Sequence, residues 1–481
     1  MHAAALLPEL GPRVTTSLLE RRFYAGDLAY VPPAVLRRVA DPLPDAVARP
    51  ASVEEVVAVV RHAAAAGTPV VPRGGGSTAY GNAVPVRRGI VLDLNGLDAV
   101  GPVAADGATV WVGAGATWWE LGRALGRRGL ALGSYPSSAR AATVGGWFAM
   151  GGLGIGSLAH GPLVDRVRAV EVVLPDGEIR RLDRETDPPL GWFAGSEGTL
   201  GVVTRVELAV RRKPAAESHL LVGAEEVGSL VSVAAAVAER LAGTVFHLHL
   251  NDGPYNRMLA RLGAEGGAAG PTLAVDLEGE AGELARAEEV VGRVAAAEGG
   301  SLLAGERAWA EWRERFHALR VKRLHPALLG AELLLPLETL ADYLARCGRL
   351  AAAHGLALAS YGHVVARDRV LVMTLFPTDE RAPLRYLLDA SLLEKLYSLG
   401  LRAGGAPYAI GLWNTPYLER AFAPPALAER RARKRRLDPR GIMNPGKSYR
   451  APWLLHPLWF GPGMGAARAL RRLVGAREGS R

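Results

Sequence analysis

Cysteine is almost missing from this 481-residue chain: Cys347 stands alone, which excludes an internal disulfide and any cysteine-ligated iron–sulfur cluster carried by the chain itself. Long apolar runs are missing too. The longest, such as Val231 to Val237, are broken by charge well short of the roughly 20 residues a membrane span needs. Met1 to Leu10 lacks the basic start of a signal peptide, and its apolar part stops at Pro8, so a reducing cytoplasm is the expected location. Aromatic residues make up only 6%. The basic stretches are not interleaved with them as a base-stacking platform requires, so the net charge of +9 is not read as a nucleic-acid surface. That charge collects in Arg430-Arg431-Ala432-Arg433-Lys434-Arg435-Arg436 and in a C-terminal set, Arg468, Arg471, Arg472, Arg477 and Arg481.

Glycine is abundant, at 58 residues, and its clusters carry the functional signal. Val70-Val71-Pro72-Arg73-Gly74-Gly75-Gly76-Ser77-Thr78 is a β-type run that breaks into three glycines and two hydroxyls. Glycines let successive backbone N–H groups converge on one point, an anion-binding nest suited to phosphate. A Rossmann or Walker loop would run straight into a helix. Here Tyr80-Gly81-Asn82-Ala83-Val84-Pro85 continues as loop, and Ile90-Val91-Leu92-Asp93-Leu94 returns as a strand. Upstream, Ser52 and Glu55 form a capping box, and Val53, Val56, Val57 and Val60 fall at helical spacing, so a helix leads into the loop. Gly441 to Ser448 also satisfies the Walker pattern, but Pro445 removes a donor and Tyr449-Arg450-Ala451-Pro452 cannot open a helix cleanly.

Three further segments follow in order: Thr143-Val144-Gly145-Gly146-Trp147, preceded by Tyr135-Pro136-Ser137-Ser138; Gly195-Ser196-Glu197-Gly198-Thr199-Leu200-Gly201-Val202-Val203-Thr204; and Leu437-Asp438-Pro439-Arg440-Gly441-Ile442-Met443-Asn444-Pro445-Gly446-Lys447. With the glycine loop, they resemble the motifs of the FAD-binding, PCMH-type vanillyl-alcohol oxidase / p-cresol methylhydroxylase superfamily, in its glycolate oxidase and D-lactate dehydrogenase branch. The resemblance implies FAD, held by Pro72, Arg73, Gly74, Gly75, Gly76, Ser77, Thr78, Gly81, Asn82, Pro136, Ser137, Thr143, Gly145, Gly146, Glu197, Gly198, Thr199, Gly201, Val202 and Val203, with Asn444 and Lys447 reaching back to the flavin. Covalent members often place the tethering histidine where this chain has Gly76, so a non-covalent FAD is expected.

From Glu217 onward, strands and helices alternate in two rounds. The first runs His219 to Gly223, helix Val227 to Leu241, Thr244 to Leu250, Thr272 to Glu278, helix Gly282 to Glu298, and Ser301 to Leu303. The second runs Ala331 to Leu335, helix Leu337 to His354, Leu356 to His363, Val370 to Phe376, helix Pro383 to Leu399, and Leu401 to Ala403. Each is a ferredoxin-like β-α-β-β-α-β unit. The fold class expected is α+β: an N-terminal segment (1–41), a two-subdomain FAD-binding domain (42–214), a cap whose two units form one antiparallel sheet (215–404), a segment returning to the FAD domain (405–450), and an apolar and basic tail (451–481).

The resemblance further implies removal of a hydride from the hydroxyl-bearing carbon of a small hydroxy acid such as glycolate or D-lactate, with electrons passed to a separate acceptor. The alternatives are an alcohol or polyol oxidase, or a flavin-carrying electron-transfer subunit working with an iron–sulfur partner. Tyr24-x-x-Asp27 and the hydrophobic tail suggest such partners, or quinone at the inner face of a membrane. The family's base is a histidine in Gly-Glu-His-Gly-Ile-Gly. Aligned through Ile410-Gly411, Tyr408 stands in its place, and a tyrosine, whose phenol ordinarily ionises only near pH ~10, is a poor base unless a cation favours the phenolate. Many relatives hold a divalent ion with two histidines of Gly-His-Val-Gly-Asp-Gly-Asn-Leu-His. Only the first is kept here, as His363, and one imidazole makes no metal site, so no metal is expected; His363 is instead a candidate substrate contact and the alternative to Tyr408 as base. For the substrate cation the resemblance points to Arg313, in Glu311-Trp312-Arg313-Glu314, with Arg320 and Lys322 as competitors.

Overall fold

The computed structural model describes residues 8–29, 31–263 and 270–478, except the side chains of 8–10 and 472–478. Most of the N-terminal run read for a signal peptide, and the side chains of Arg472, Arg477 and Arg481, lie outside the described residues.

Two small sheets build the N-terminal half. In the first, Ala46–Ala48, Ile90–Asp93 and Val70–Arg73 lie parallel, with Val14–Thr15 added antiparallel at the edge. The helix Val53–Ala66 packs on it through Val56, Val59, Val60 and Ala63. Ser52 caps this helix, accepting from the Glu55 N–H at 3.3 Å, and Gly67 ends it in the left-handed region. The second sheet is antiparallel, in the order Val100–Val103, Thr109–Gly113, Val202–Ala209, Val167–Val173, Ile179–Leu182. The chain returns to the first sheet near its end: Val70 donates to Ile442 O at 2.9 Å, and Asn444 donates to Val70 O at 2.8 Å.

The second half forms one eight-stranded sheet in the order Gly300–Leu302, Ala216–Ala224, Thr272–Gly279, Val245–Asn251, Ala359–Ala366, Arg369–Thr378, Ala327–Pro336, Ala406–Pro407, with every neighbour antiparallel. The two expected β-α-β-β-α-β units are joined through Val245–Asn251 and Ala359–Ala366. Period-two alternation sorts the side chains. Leu248, Leu250, Val364, Val372, Leu333 and Leu335 enter the core beneath the helices, while His247, His249, Tyr361, His363, Met373 and Glu332 lie on the opposite face.

The unit ends differ from the sequence reading in one place. Leu401 to Ala403, expected as a strand, lies mostly inside the helix Pro383–Arg402, and the final strand is Ala406–Pro407. Leu399 and Leu401 continue the helix's packing on the core. The turn comes later, at Gly404 and Gly405, where a Cβ on Gly405 would come within 2.2 Å of Leu335. Two helices that the alternation did not reveal, Gly253–Arg261 and Gly305–Arg313, follow sheet strands, the first capped by Asp252 accepting from Tyr255 N–H at 2.7 Å.

Candidate functional site

A cleft runs between the two small sheets and the polar face of the large one, with about 1470 Å³ of atom-free space that is partly open to solvent. Its near wall is the glycine loop. The backbone N–H groups of Gly74 to Tyr80 donate to no described protein group, which leaves them available to a ligand in the cleft. Close packing leaves no room for side chains there: a Cβ on Gly74 would fall 2.2 Å from Thr143 Oγ1, and one on Gly75 would fall 1.8 Å from Ala141 O. Gly76 has φ +61°, and the Arg73 guanidinium lies over it. Arg73 is itself engaged, donating to Gly26 O at 2.5 Å and lying over the Tyr24 ring.

The segment before the first sheet's parallel strands braces this loop. Asp27 accepts from Gly81 N–H at 2.7 Å and Thr78 Oγ1 at 3.2 Å, and burial pushes its carboxyl up to about 6. Tyr24 donates to Asp93. Tyr24 and Asp27, read from sequence as a pointer to partners, are therefore used inside the fold.

Pro136, Ser137, Thr143, Gly145 and Gly146 line the cleft as expected, with Thr143 capping the helix Val144–Ala149. Glu197, Gly198, Gly201 and Val203 line it as well. The Glu197 carboxylate, however, points to the returning C-terminal segment. It accepts from Ile410 N–H at 2.8 Å, Gly411 N–H at 2.7 Å and the Ser448 hydroxyl, and Glu197 itself has a φ of +55°. Thr199 is buried against Ser196 O and Tyr449, and neither it nor Val202 lines the cleft.

Asn444 and Lys447, expected to reach back to the flavin, make their hydrogen bonds inside the protein. Asn444 Nδ2 donates to Glu197 O (2.7 Å) and Asn82 O (3.0 Å), and Lys447 Nζ donates to Asn82 O (2.6 Å). Neither lines the cleft. Burial brings the Lys447 ammonium down to about 7. Their target, Asn82, does line the cleft, and its Nδ2 is buried with no hydrogen-bond acceptor. The basic run 430–436 fastens the same region: Lys434 donates to Thr199 O and Met443 O, and Arg433 and Arg436 flank Trp192.

The far end of the cleft is lined by Leu319, Glu332, Tyr361, His363, Leu371, Met373 and Tyr408. Tyr408 accepts from Leu153 N–H at 3.3 Å. Burial pushes its phenol well above the ordinary value, and the neighbouring Glu332 pushes it the same way. No cation among the described residues counters this, which weighs against Tyr408 as a base near neutrality. Glu332 was overlooked in the sequence, although a lone acid within Gly330-Ala331-Glu332-Leu333-Leu334 of a strand was a visible signal. Burial alone raises its carboxyl to about 8. Arg313 is exposed and lines neither this cleft nor the smaller cavity behind it. Arg320 lines the smaller cavity and pairs with Glu314 at 3.0 Å, and Lys322 is exposed. Among the described residues, the far end thus carries no lysine or arginine.

The strand Val245–Asn251 brings two more histidines against His363. His247 Nε2 lies 3.0 Å, and His249 Nδ1 3.1 Å, from His363 Nδ1. The sequence signal was His-x-His within a strand, which projects both rings to one face.

Free loop N–H groups, an uncapped buried amide and a long cleft roofed by an antiparallel sheet fit a phosphate-bearing dinucleotide. The chain belongs to the FAD-linked oxidases: the profile described as "FAD binding domain" matches residues 44–183, and that of "FAD linked oxidases, C-terminal domain" matches 213–448. Its cofactor is FAD. The chain is 26% identical over 427 residues to the glycolate oxidase subunit GlcD of Bacillus subtilis, covering 85% of this chain and 89% of that one. It is 28% identical over 433 residues to a D-lactate dehydrogenase of Archaeoglobus fulgidus, covering 87% and 94%. The fold matches that of p-cresol methylhydroxylase with substrate bound, at a TM-score of 0.80 and 18% identity, covering 94% of this chain and 96% of that one. Among the described residues, no helix is long and apolar enough to cross a membrane.

Proposed function

We propose that the chain is a dehydrogenase that oxidises the hydroxyl-bearing carbon of a small 2-hydroxy acid such as glycolate or D-lactate. Bound FAD supplies the hydride acceptor. The observation that carries the reading is Glu332, a carboxyl raised to about 8 at the far end of the flavin cleft, beside Tyr408. Its ionised form takes the hydroxyl proton as the hydride leaves. Its neutral form, which dominates at pH 7, places no negative charge against a substrate carboxylate. Tyr361, His363 and Tyr408 offer hydrogen bonds that orient the substrate, while Leu319, Leu371 and Met373 exclude water.

A second reading, oxidation of an uncharged alcohol, is favoured by the lack of lysine or arginine among the described residues at this end. Anaerobic mixing with a panel of 2-hydroxy acids and neutral alcohols decides between them. Bleaching of the flavin by hydroxy acids alone supports the first reading, bleaching by alcohols alone supports the second, and bleaching by neither overturns both.

Electrons then pass to a separate acceptor, for which an iron–sulfur protein or membrane quinone at the inner face is our reading. Its support is the apolar edge of the tail, where Trp453 and Leu458 are each 71% exposed. Of the tail's arginines whose side chains are described, Arg468 and Arg471 are engaged inside the fold and do not form a free cationic face. Arg468 pairs with Glu394 and Arg471 with Asp389, holding the helix Pro457–Glu478 to Pro383–Arg402. Slow reoxidation by oxygen and faster turnover with artificial acceptors are expected. Hydrogen peroxide produced at the turnover rate would make the protein an oxidase.

Two smaller results are also expected. Acid precipitation should release yellow flavin to the supernatant, since Gly76 offers no tether; colour kept in the pellet would contradict this. Tyr408→Phe should slow flavin reduction by no more than about tenfold, the 0.5–1.5 kcal/mol of one hydrogen bond. A loss of a hundredfold or more would restore Tyr408 as the acid–base group.

A further inference from the structure

The polar face of the large sheet carries a row of ionisable groups that continues past the flavin cleft. Strand register aligns His219 with Asp276, Asp276 with His247, and His249 with His363. Behind His363, away from the flavin loops, lies a second cavity lined by His247, His249, His363, Asp276, Glu311 and Arg320 among others. It is small, with room for a single water or ion.

Hydrogen bonding alone does not account for the three imidazoles. His363 Nδ1 faces both His247 Nε2 and His249 Nδ1, at 3.0 and 3.1 Å. A ring nitrogen carries either one proton or one in-plane lone pair, so it can satisfy only one of those neighbours well. Two of the remaining nitrogens find no other relief, since His247 Nδ1 and His363 Nε2 are also buried without partners. All three rings are held toward the neutral form by burial, which leaves lone pairs available.

We infer that His247, His249 and His363 form a binding site for a divalent transition-metal ion of the zinc type. The three facing nitrogens lie within 4.8 Å of one another. Tetrahedral ligation at 2.0–2.1 Å would set them about 3.3–3.4 Å apart, so the two short contacts need open by only a few tenths of an ångström. Three neutral imidazoles with a fourth position toward a cavity is a zinc-type donor set. An outer carboxylate completes the pattern. Glu311 lies 3.6 Å from His249 Nε2, and is itself held by Asn251 Nδ2 at 3.0 Å, which favours a proton on Nε2 and a free lone pair on Nδ1. The ligands come from two adjacent strands, and Val370 fills the position of the second histidine in the His363 motif. An ion on His363 Nδ1 would leave the proton on Nε2, making this ring a donor at the cleft wall and not a base.

The test uses full-length flavin-loaded protein, dialysed against a chelator and then titrated with Co²⁺ and Zn²⁺. One equivalent of cobalt with the visible bands of a tetrahedral nitrogen site, displaced by one equivalent of zinc, is expected. His247→Asn and His249→Asn should abolish the cobalt bands at unchanged flavin content, while the exposed His456→Asn should keep them. Should a variant fail to fold, the parent titration still decides. Absence of a stoichiometric cobalt spectrum in the parent, or its survival in both folded variants, overturns the site. The readout is independent of substrate oxidation, so failure to bleach flavin with any alcohol leaves this result standing on its own.

Discussion

Glu332→Gln is expected to slow anaerobic flavin reduction by roughly 10²–10⁴-fold, the usual cost of losing a positioned acid–base group. In the parent protein the reduction rate should rise with pH, pass half its maximum near 8, where burial has moved this carboxyl, and level off above that; in the variant that rise should vanish. Stability should move the other way. Between the ordinary value of 4.5 and about 8, the folded chain keeps a proton that the unfolded chain has lost, so ionisation works against folding as pH rises through that window. Glutamine carries no such penalty. The variant should therefore melt at a higher temperature than the parent, by more at pH 8 than at pH 5. Stopped-flow reduction and thermal melts at both pH values check the pair. A parent-like reduction rate would show that the base lies elsewhere and return attention to His363.

The second large effect belongs to Glu197. Glu197→Ala removes the acceptor of two buried N–H groups, at Ile410 and Gly411, and of the Ser448 hydroxyl. Each buried group left unsatisfied costs about 1–3 kcal/mol, and the freed segment carries the Tyr408 wall of the cleft. The protein should be isolated with little flavin and a sharply lower melting temperature. Glu197→Gly separates two causes, because it relieves the φ of +55° but loses the same acceptors. It should fail as the alanine variant does. Full flavin content in either variant would reduce Glu197 to an ordinary wall of the cleft.

Much of this site was legible because flavin recognition here is local. Gly74, Gly75 and Gly76 are consecutive, and consecutive glycines permit a tight loop that approaches its neighbours where any side chain would clash. The same holds for Thr143 as the cap of a short helix and for the Ser52 to Glu55 capping pair. Period-two and helical alternation were enough to show two β-α-β-β-α-β units, since each strand must bury one face. Their limit was a helix end: nothing local in Leu401 to Ala403 showed that the helix would continue to Arg402.

Roles that depend on which strand lies beside which could not be read along the chain. Asn444 and Lys447 belong to a motif, yet whether they touch a cofactor or the Asn82 loop depends on contacts some 360 residues apart. Tyr408 sits where a base is expected, but its environment is supplied by Glu332 and Leu153, from two other parts of the fold. His363 looked solitary because its partners lie on the adjacent strand, 114 and 116 residues away. The sequence by itself determined the glycine loop, the order of the motifs and the two-unit cap, because these follow from backbone freedom and burial periodicity. Only the tertiary structure decided which carboxyl is desolvated and which imidazoles converge, because desolvation and ligation are properties of packed neighbours and not of any stretch of chain.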